Sequence, residues 1–242
     1  MRRLAAVLTR MRLMGIKERQ ERDRESVRRA ILDAARDLFV AEGFQNVSIR
    51  KIAERIEYSP AAIYGYFASK DDIFFALAEE GFRLLGDPGG DKHRAQRAAL
   101  PPLERVRANF WHLYTFSREQ PEYFALMFLD RSVPRISREY ERFAFAREMK
   151  KHIVEEIEAC IQGGQLPQTL HPAVAMRTLM LGVLGVAVLR LSDRLAPGED
   201  ADLLAADVLN VTLAGLRSGI VLQSKPVSEC PLDATVADAR AS

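Results

Sequence analysis

The stretch that decides the fold is residues 46–73, Asn46-Val47-Ser48-Ile49-Arg50-Lys51-Ile52-Ala53-Glu54-Arg55-Ile56-Glu57-Tyr58-Ser59-Pro60-Ala61-Ala62-Ile63-Tyr64-Gly65-Tyr66-Phe67-Ala68-Ser69-Lys70-Asp71-Asp72-Ile73. Ile49, Ile52, Ala53 and Ile56 recur at i, i+3, i+4 and i+7, one face of a short helix. Ser48 precedes that face, where its hydroxyl can accept from an otherwise unpaired first-turn amide. Ser59-Pro60 marks a second start, a capping hydroxyl followed by a residue whose missing N–H costs nothing at the first helical position. Ile63 and Phe67, four apart, anchor this second helix to a core. Ser69-Lys70-Asp71-Asp72 opens a third helix, with acids where the dipole favours them. Two short helices across a tight turn are the geometry that pushes one helix into the major groove of DNA.

Upstream, Val27, Ala30, Ile31, Ala34, Ala35, Leu38 and Phe39 form an apolar stripe, and Gly43 stops that helix. Three helices around one small core are thereby expected from about residue 25 to 67. The stretch resembles the DNA-binding domain of the TetR family of transcriptional repressors. The resemblance is carried by Ala30-Ile31-Leu32-Asp33-Ala34-Ala35-Arg36-Asp37-Leu38-Phe39, Gly43-Phe44, Ser48-Ile49-Arg50-Lys51-Ile52-Ala53 and Ile63-Tyr64-Gly65-Tyr66-Phe67-Ala68-Ser69-Lys70. It implies an all-α fold, an N-terminal three-helix helix-turn-helix domain followed by a larger helical ligand-binding and dimerisation domain. One position departs from the family pattern: Glu57 stands where the inter-helix turn usually carries Gly. A left-handed turn costs a residue with a side chain about 1 kcal/mol relative to Gly.

Length and composition bound the rest. A chain of 242 residues with 48% apolar content holds one small and one larger packed domain. Net charge is only +2, but unevenly spread: Met1 to Arg29 carries ten Lys or Arg against four Asp or Glu, a net of six positive charges. Residues 1–24 read as a basic, partly disordered arm. It is either a solvated leader, or an overlong start before Met11 or Met14, or an arm that meets DNA phosphates or the neighbouring minor groove. The domain expectation is 25–70 for DNA binding, 71–223 for a helical effector-binding and dimerisation domain, and 224–242 for a disordered tail.

Leu4 to Leu8 is too short for a secretory signal. The apolar run Leu179 to Leu189, bracketed by Arg177 and Arg190, is shorter than the roughly 20 residues that span a bilayer. Cys160 and Cys230 form no CxxC pair, and His93, His112, His152 and His171 have no metal-ligand spacing. The expectation is a cytoplasmic protein with no metal, no cofactor, no membrane span and no catalytic residue. Beyond Gly86 the chain reads as helices broken at 87–92, Gln120-Pro121, Pro134 and Gly163-Gly164, with a last pair at about 171–192 and 199–222.

By position in the resemblance, Ser48, Tyr64, Tyr66 and Lys70 are DNA-backbone contacts. Lys70 is a cation at a helix start, which the dipole disfavours unless an anion lies close by, and a plain surface lysine is the alternative. Tyr64 is equally readable as a core aromatic. Pro60, Ala61, Ala62 and Gly65 offer the groove only apolar surface or bare backbone, so Arg50 is the best guanine reader. Bulky residues between 110 and 149 read singly as core and together as an apolar cavity. In the family the corresponding domain binds a small molecule that changes the spacing of two heads. The candidate lining is Trp111, His112, Tyr114, Tyr123, Phe124, Met127, Phe143 and Arg177. The last two helices present apolar sides through Leu179, Gly182, Val183, Val186, Leu209, Leu213 and Leu216, to be covered either by the remaining helices of one chain or by a second copy; the resemblance implies the second, a homodimer interface. Two heads on a twofold imply a palindromic double-stranded operator.

Overall fold

The computed structural model describes residues 2–86, 95–130 and 144–225, and its regular structure there is helical. The first helix, α1 (Arg2–Glu42), is longer than expected, because the partly disordered arm is instead its leading part. Residues 2–26 contain no Pro and a single Gly, Gly15, among good helix formers such as Ala, Leu, Met, Glu and Arg, so nothing interrupts it. Gly43, with φ of 80°, ends it as the sequence predicts, and Phe44–Asn46 add a tight 3₁₀ turn.

Helix α2 (Ile49–Arg55) is capped by Ser48, whose hydroxyl accepts from the Lys51 amide at 3.2 Å. Helix α3 (Pro60–Tyr64) is capped by Ser59 in the same way, from the Ala62 amide at 3.1 Å. Between them Glu57 is left-handed, φ 59°, as the missing Gly foretells. Helix α4 (Lys70–Gly86) begins after Ser69, whose hydroxyl accepts from the Asp72 amide at 3.1 Å. Next come α5 (Pro102–Glu119) and α6 (Pro121–Phe124), the latter running into a π turn at Ala125–Leu129. The chain closes with α7 (Ala144–Gln162), α8 (Pro172–Leu191) and α9 (Ala201–Arg217).

Two compact units divide these helices differently from the sequence expectation. The first combines residues 1–84 with 120–145, and the second combines 85–119 with 146–242. In the first unit Ile31, Ala35, Phe39, Ile52, Ile63, Ile73, Phe74 and Leu77 are buried together. Phe39, Phe44 and Phe74 stack in sequence at 5.1 and 5.7 Å between ring centroids. At Gly81 on α4 a Cβ would collide with Met127 Sδ, so the glycine is what lets α6 and its π turn approach.

In the second unit α8 packs on α5 and on α9. At Gly182 an added Cβ would come within 2.9 Å of Val208 Cγ1, so this glycine sets the close approach of α8 to α9 within one chain. Tyr114 on α5 donates to Asp202 on α9 at 2.7 Å, and Arg190 on α8 donates to the Ser117 carbonyl at 2.6 Å. Glu156 on α7 is buried against Arg105 and Asn109 of α5. Among the described residues one helix, α8, is long and apolar enough by length and composition to cross a bilayer, and a third of it is buried. The sequence reading missed this by counting only between Arg177 and Arg190, both of which lie inside the helix.

Replacing Glu57 by Gly removes the left-handed penalty, offset in part by the greater freedom of the unfolded chain. The expected net gain is a few tenths to about 1 kcal/mol, read as a higher urea midpoint at unchanged slope. A midpoint that stays or falls contradicts strain at this turn.

Candidate nucleic-acid interface

Helix α3 is only five residues long, and its placement comes from burial. Ile63 and Phe67 point into the core, which leaves Pro60, Ala61, Tyr64 and Gly65 exposed on the opposite side. Tyr64 is 56% exposed, so of its two sequence readings the structure supports the surface one. Ala62 and Tyr66 are half-buried at the margin of the same helix, and Ser48 is exposed while its hydroxyl serves the α2 cap. The Arg50 side chain is 80% exposed and donates to Glu54 at 2.8 Å. An exposed ion pair one turn apart is weakly held, so the guanidinium remains available to a base edge or phosphate.

Lys70 has partners that the sequence did not suggest. Its ammonium donates to the carbonyls of Phe44 and Val47 at 2.7 and 2.9 Å and lies 4.1 Å from the centre of the Phe44 ring. Burial lowers its pKa from the ordinary lysine value, opposed by nearby Asp71. The cation at the helix start is thus explained by intramolecular carbonyls and a ring face, which tie α4 to the turn before α2. These contacts help position the head.

Of the candidate ligand lining, Tyr123, Phe124 and Met127 are buried in the first unit, Trp111, His112, Tyr114 and Arg177 belong to the second, and Phe143 lies outside the described residues. Tyr123 is a partner of the head: its hydroxyl lies 3.3 Å from Arg29 and its ring 5.6 Å beneath Arg36. Arg29 also forks onto Asp33 at 3.1 Å and reaches Glu80, joining α1, α4 and α6 in one polar network. Trp111 is half-exposed, its ring 5.4 Å from that of Tyr114, and His112 and Arg177 are likewise half-exposed. Tyr114 is fully buried, with its phenol pushed up to about 12 by burial and by the bond to Asp202. Among the described residues no three His, Cys, Asp or Glu side chains gather as a metal site.

The expected interface residues also need correction. Leu179, Val183, Val186, Leu209, Leu213 and Leu216 are all buried within the single chain, and Gly182 faces Val208 of the same chain. Their cover is thus the remaining helices of the same chain. The apolar residues left uncovered are Leu181 and Leu189 on α8, 58% and 39% exposed, and Leu203 and Val211 on α9, 65% and 71% exposed. Gly185 and Gly215 have nothing within 4 Å of where a Cβ would stand.

Two substitutions separate contact from positioning. Arg50→Ala should weaken binding on the order of ten- to hundredfold and relax one operator position, with thermal stability unchanged. Lys70→Met should lower stability by about 1–3 kcal/mol, because two carbonyls lose a charged donor, while leaving the salt slope of DNA binding nearly unchanged. A Lys70→Met protein of wild-type stability whose salt slope falls would return Lys70 to the phosphate role.

Residues 31–77 match the family model described as bacterial regulatory proteins, tetR family. Over 53 residues the chain is 43% identical to the HTH-type transcriptional repressor Rv1474c of Mycobacterium tuberculosis, an alignment spanning 22% of this chain and 28% of that protein. Over 151 residues it is 28% identical to the HTH-type transcriptional regulator BetI of Rhizobium meliloti, spanning 62% and 73%. The structure of the fatty acid degradation regulator FadR from Bacillus halodurans has the same fold, with a TM-score of 0.62 at 19% identity over 78% of this chain and 96% of that one. A TetR/AcrR-family regulator from Thermobifida fusca gives 0.55 at 25% identity over 79% and 99%. The head matches in sequence and the remaining helices match in fold: residues 31–77 form a DNA-binding domain of the TetR type, carried by a chain with the fold of TetR-family regulators.

Proposed function

We propose that the protein is a cytoplasmic homodimeric repressor, released from a palindromic operator by a small apolar or amphipathic ligand. The observation that carries the dimer is the uncovered face of α8 and α9. Leu181, Gly185 and Leu189 follow one another at intervals of four, and Leu203, Val211 and Ala214 lie exposed, with Gly215 half-buried, around Asp207 and Asn210 on the neighbouring helix. Isolated exposed leucines need no explanation, but a group of exposed aliphatic residues on two adjacent helices, with Asp207 and Asn210 as its polar members, does. Helices of 20 and 17 residues are roughly 30 and 25 Å long, enough to offer about 800 Å² per partner. A second copy is the cover that fits. A bilayer does not, because Arg190 of α8 is bonded to Ser117 of α5 and the opposite face of α8 is packed against its own chain.

The two-helix head then occurs twice, and a twofold pair reads an inverted repeat. The repressor reading draws support from the name of the Mycobacterium tuberculosis relative, and the ligand class from a Bacillus subtilis FadR structure of this fold that holds stearoyl-CoA. A second reading is an activator or an effector-independent regulator of the same fold. Thermal shift against apolar and acyl-chain metabolites, read together with operator release, decides between them. A stabiliser that also releases DNA supports the first reading, and stabilisers without release, or none, support the second.

Val211→Asp, alone or with Leu181→Glu, places charge on the uncovered face and should weaken self-association on the order of 100-fold. Sedimentation of the variant should show a helical monomer with weakened operator binding. A variant that remains dimeric contradicts this face as the interface.

A further inference from the structure

We propose that the groove between α1 and the end of α3 seats a DNA backbone phosphate, with Arg24 as its cation. The inference rests on the DNA-binding reading of the head and extends it to a helix outside the α2–α3 pair. The groove is lined by Gln20, Asp23, Arg24 and Val27 of α1 and by Gly65 and Tyr66 at the end of α3. It is open to solvent and lies beside the exposed Tyr64 and Gly65 of the DNA-facing helix.

The Arg24 guanidinium carbon stands 5.8 Å from the centre of the Tyr66 ring. A guanidinium held against an aromatic face keeps its N–H edges free for an anion while losing little further freedom on binding. One turn on, Arg28 lies 5.2 Å from the buried Phe67 ring, so the position of α1 relative to Tyr66 is fixed by the head's own core. Gln20, one turn before Arg24, adds an amide that can donate to the same anion. Asp23 disfavours an anion on its own side of the groove, which leaves the Arg24–Tyr66 side for the phosphate. Arg24 sits on a helix flanking the pair that enters the groove, where contacts position the protein and carry no base information.

The test uses the full-length protein and a random-sequence duplex of about 30 base pairs, because nonspecific binding isolates the phosphate term. Affinity is followed by fluorescence anisotropy over a series of salt concentrations. Arg24 is exposed, so Arg24→Ala should keep the wild-type urea midpoint. It should lower affinity on the order of tenfold at low salt and reduce the slope of log affinity against log salt by about 0.9, the loss of one phosphate contact. Arg24→Lys should restore the slope. A wild-type slope in Arg24→Ala, with wild-type protein binding normally, overturns this inference and leaves the DNA-binding reading standing. Wild-type protein that ignores duplex at every salt concentration overturns both.

Discussion

A helix of five residues does not persist alone in water, because nucleation costs more than one turn of hydrogen bonds returns. The whole DNA-binding head depends on how α3 is held regardless. Ile63 and Phe67 are buried beneath it, Ser59 caps its first turn, and Glu57 accepts a left-handed backbone to aim it. Behind these stand the Phe39, Phe44 and Phe74 stack and the Lys70 ammonium, which closes the carbonyls of Phe44 and Val47. Remove that support and the exposed residues of α3 have no fixed surface to present.

The head was legible in the sequence because its signals are local. A serine cap and a proline at the first helical position act within four residues, and a glycine at a helix end or a missing one in a turn acts at a single φ. The role of Lys70 was not legible, since its partners are main-chain carbonyls 23 and 26 residues away that carry no side-chain signature. Tyr123 escaped for a related reason: an aromatic in an apolar run looks like cavity lining until Arg29, 94 residues earlier, is found beside its hydroxyl. The signal that could have hinted at it is the density of Arg and Asp at 28–37, set among the apolar stripe of Val27, Ala30, Ile31, Ala34 and Ala35.

The packing of the last two helices was hidden for a different reason. Helix α8 is apolar nearly all round, so periodicity cannot say which side meets its own chain and which stays open. Gly182 decides it, because only that face admits Val208 of α9 at close range. The side given over to Leu179, Val183 and Val186 is thereby used up inside the chain, and Leu181, Gly185 and Leu189 are left exposed. The same geometry that packs the second unit defines what it offers outward.

The central claim is that α3 enters the major groove as one of two heads related by a twofold axis. Selection of binding sequences from a pool of random duplexes by the full-length protein tests it most directly. The account predicts enrichment of an inverted repeat whose half-sites lie about one helical turn apart, or a multiple of it. Enrichment of a single unrepeated site, or of no sequence at all, would contradict it.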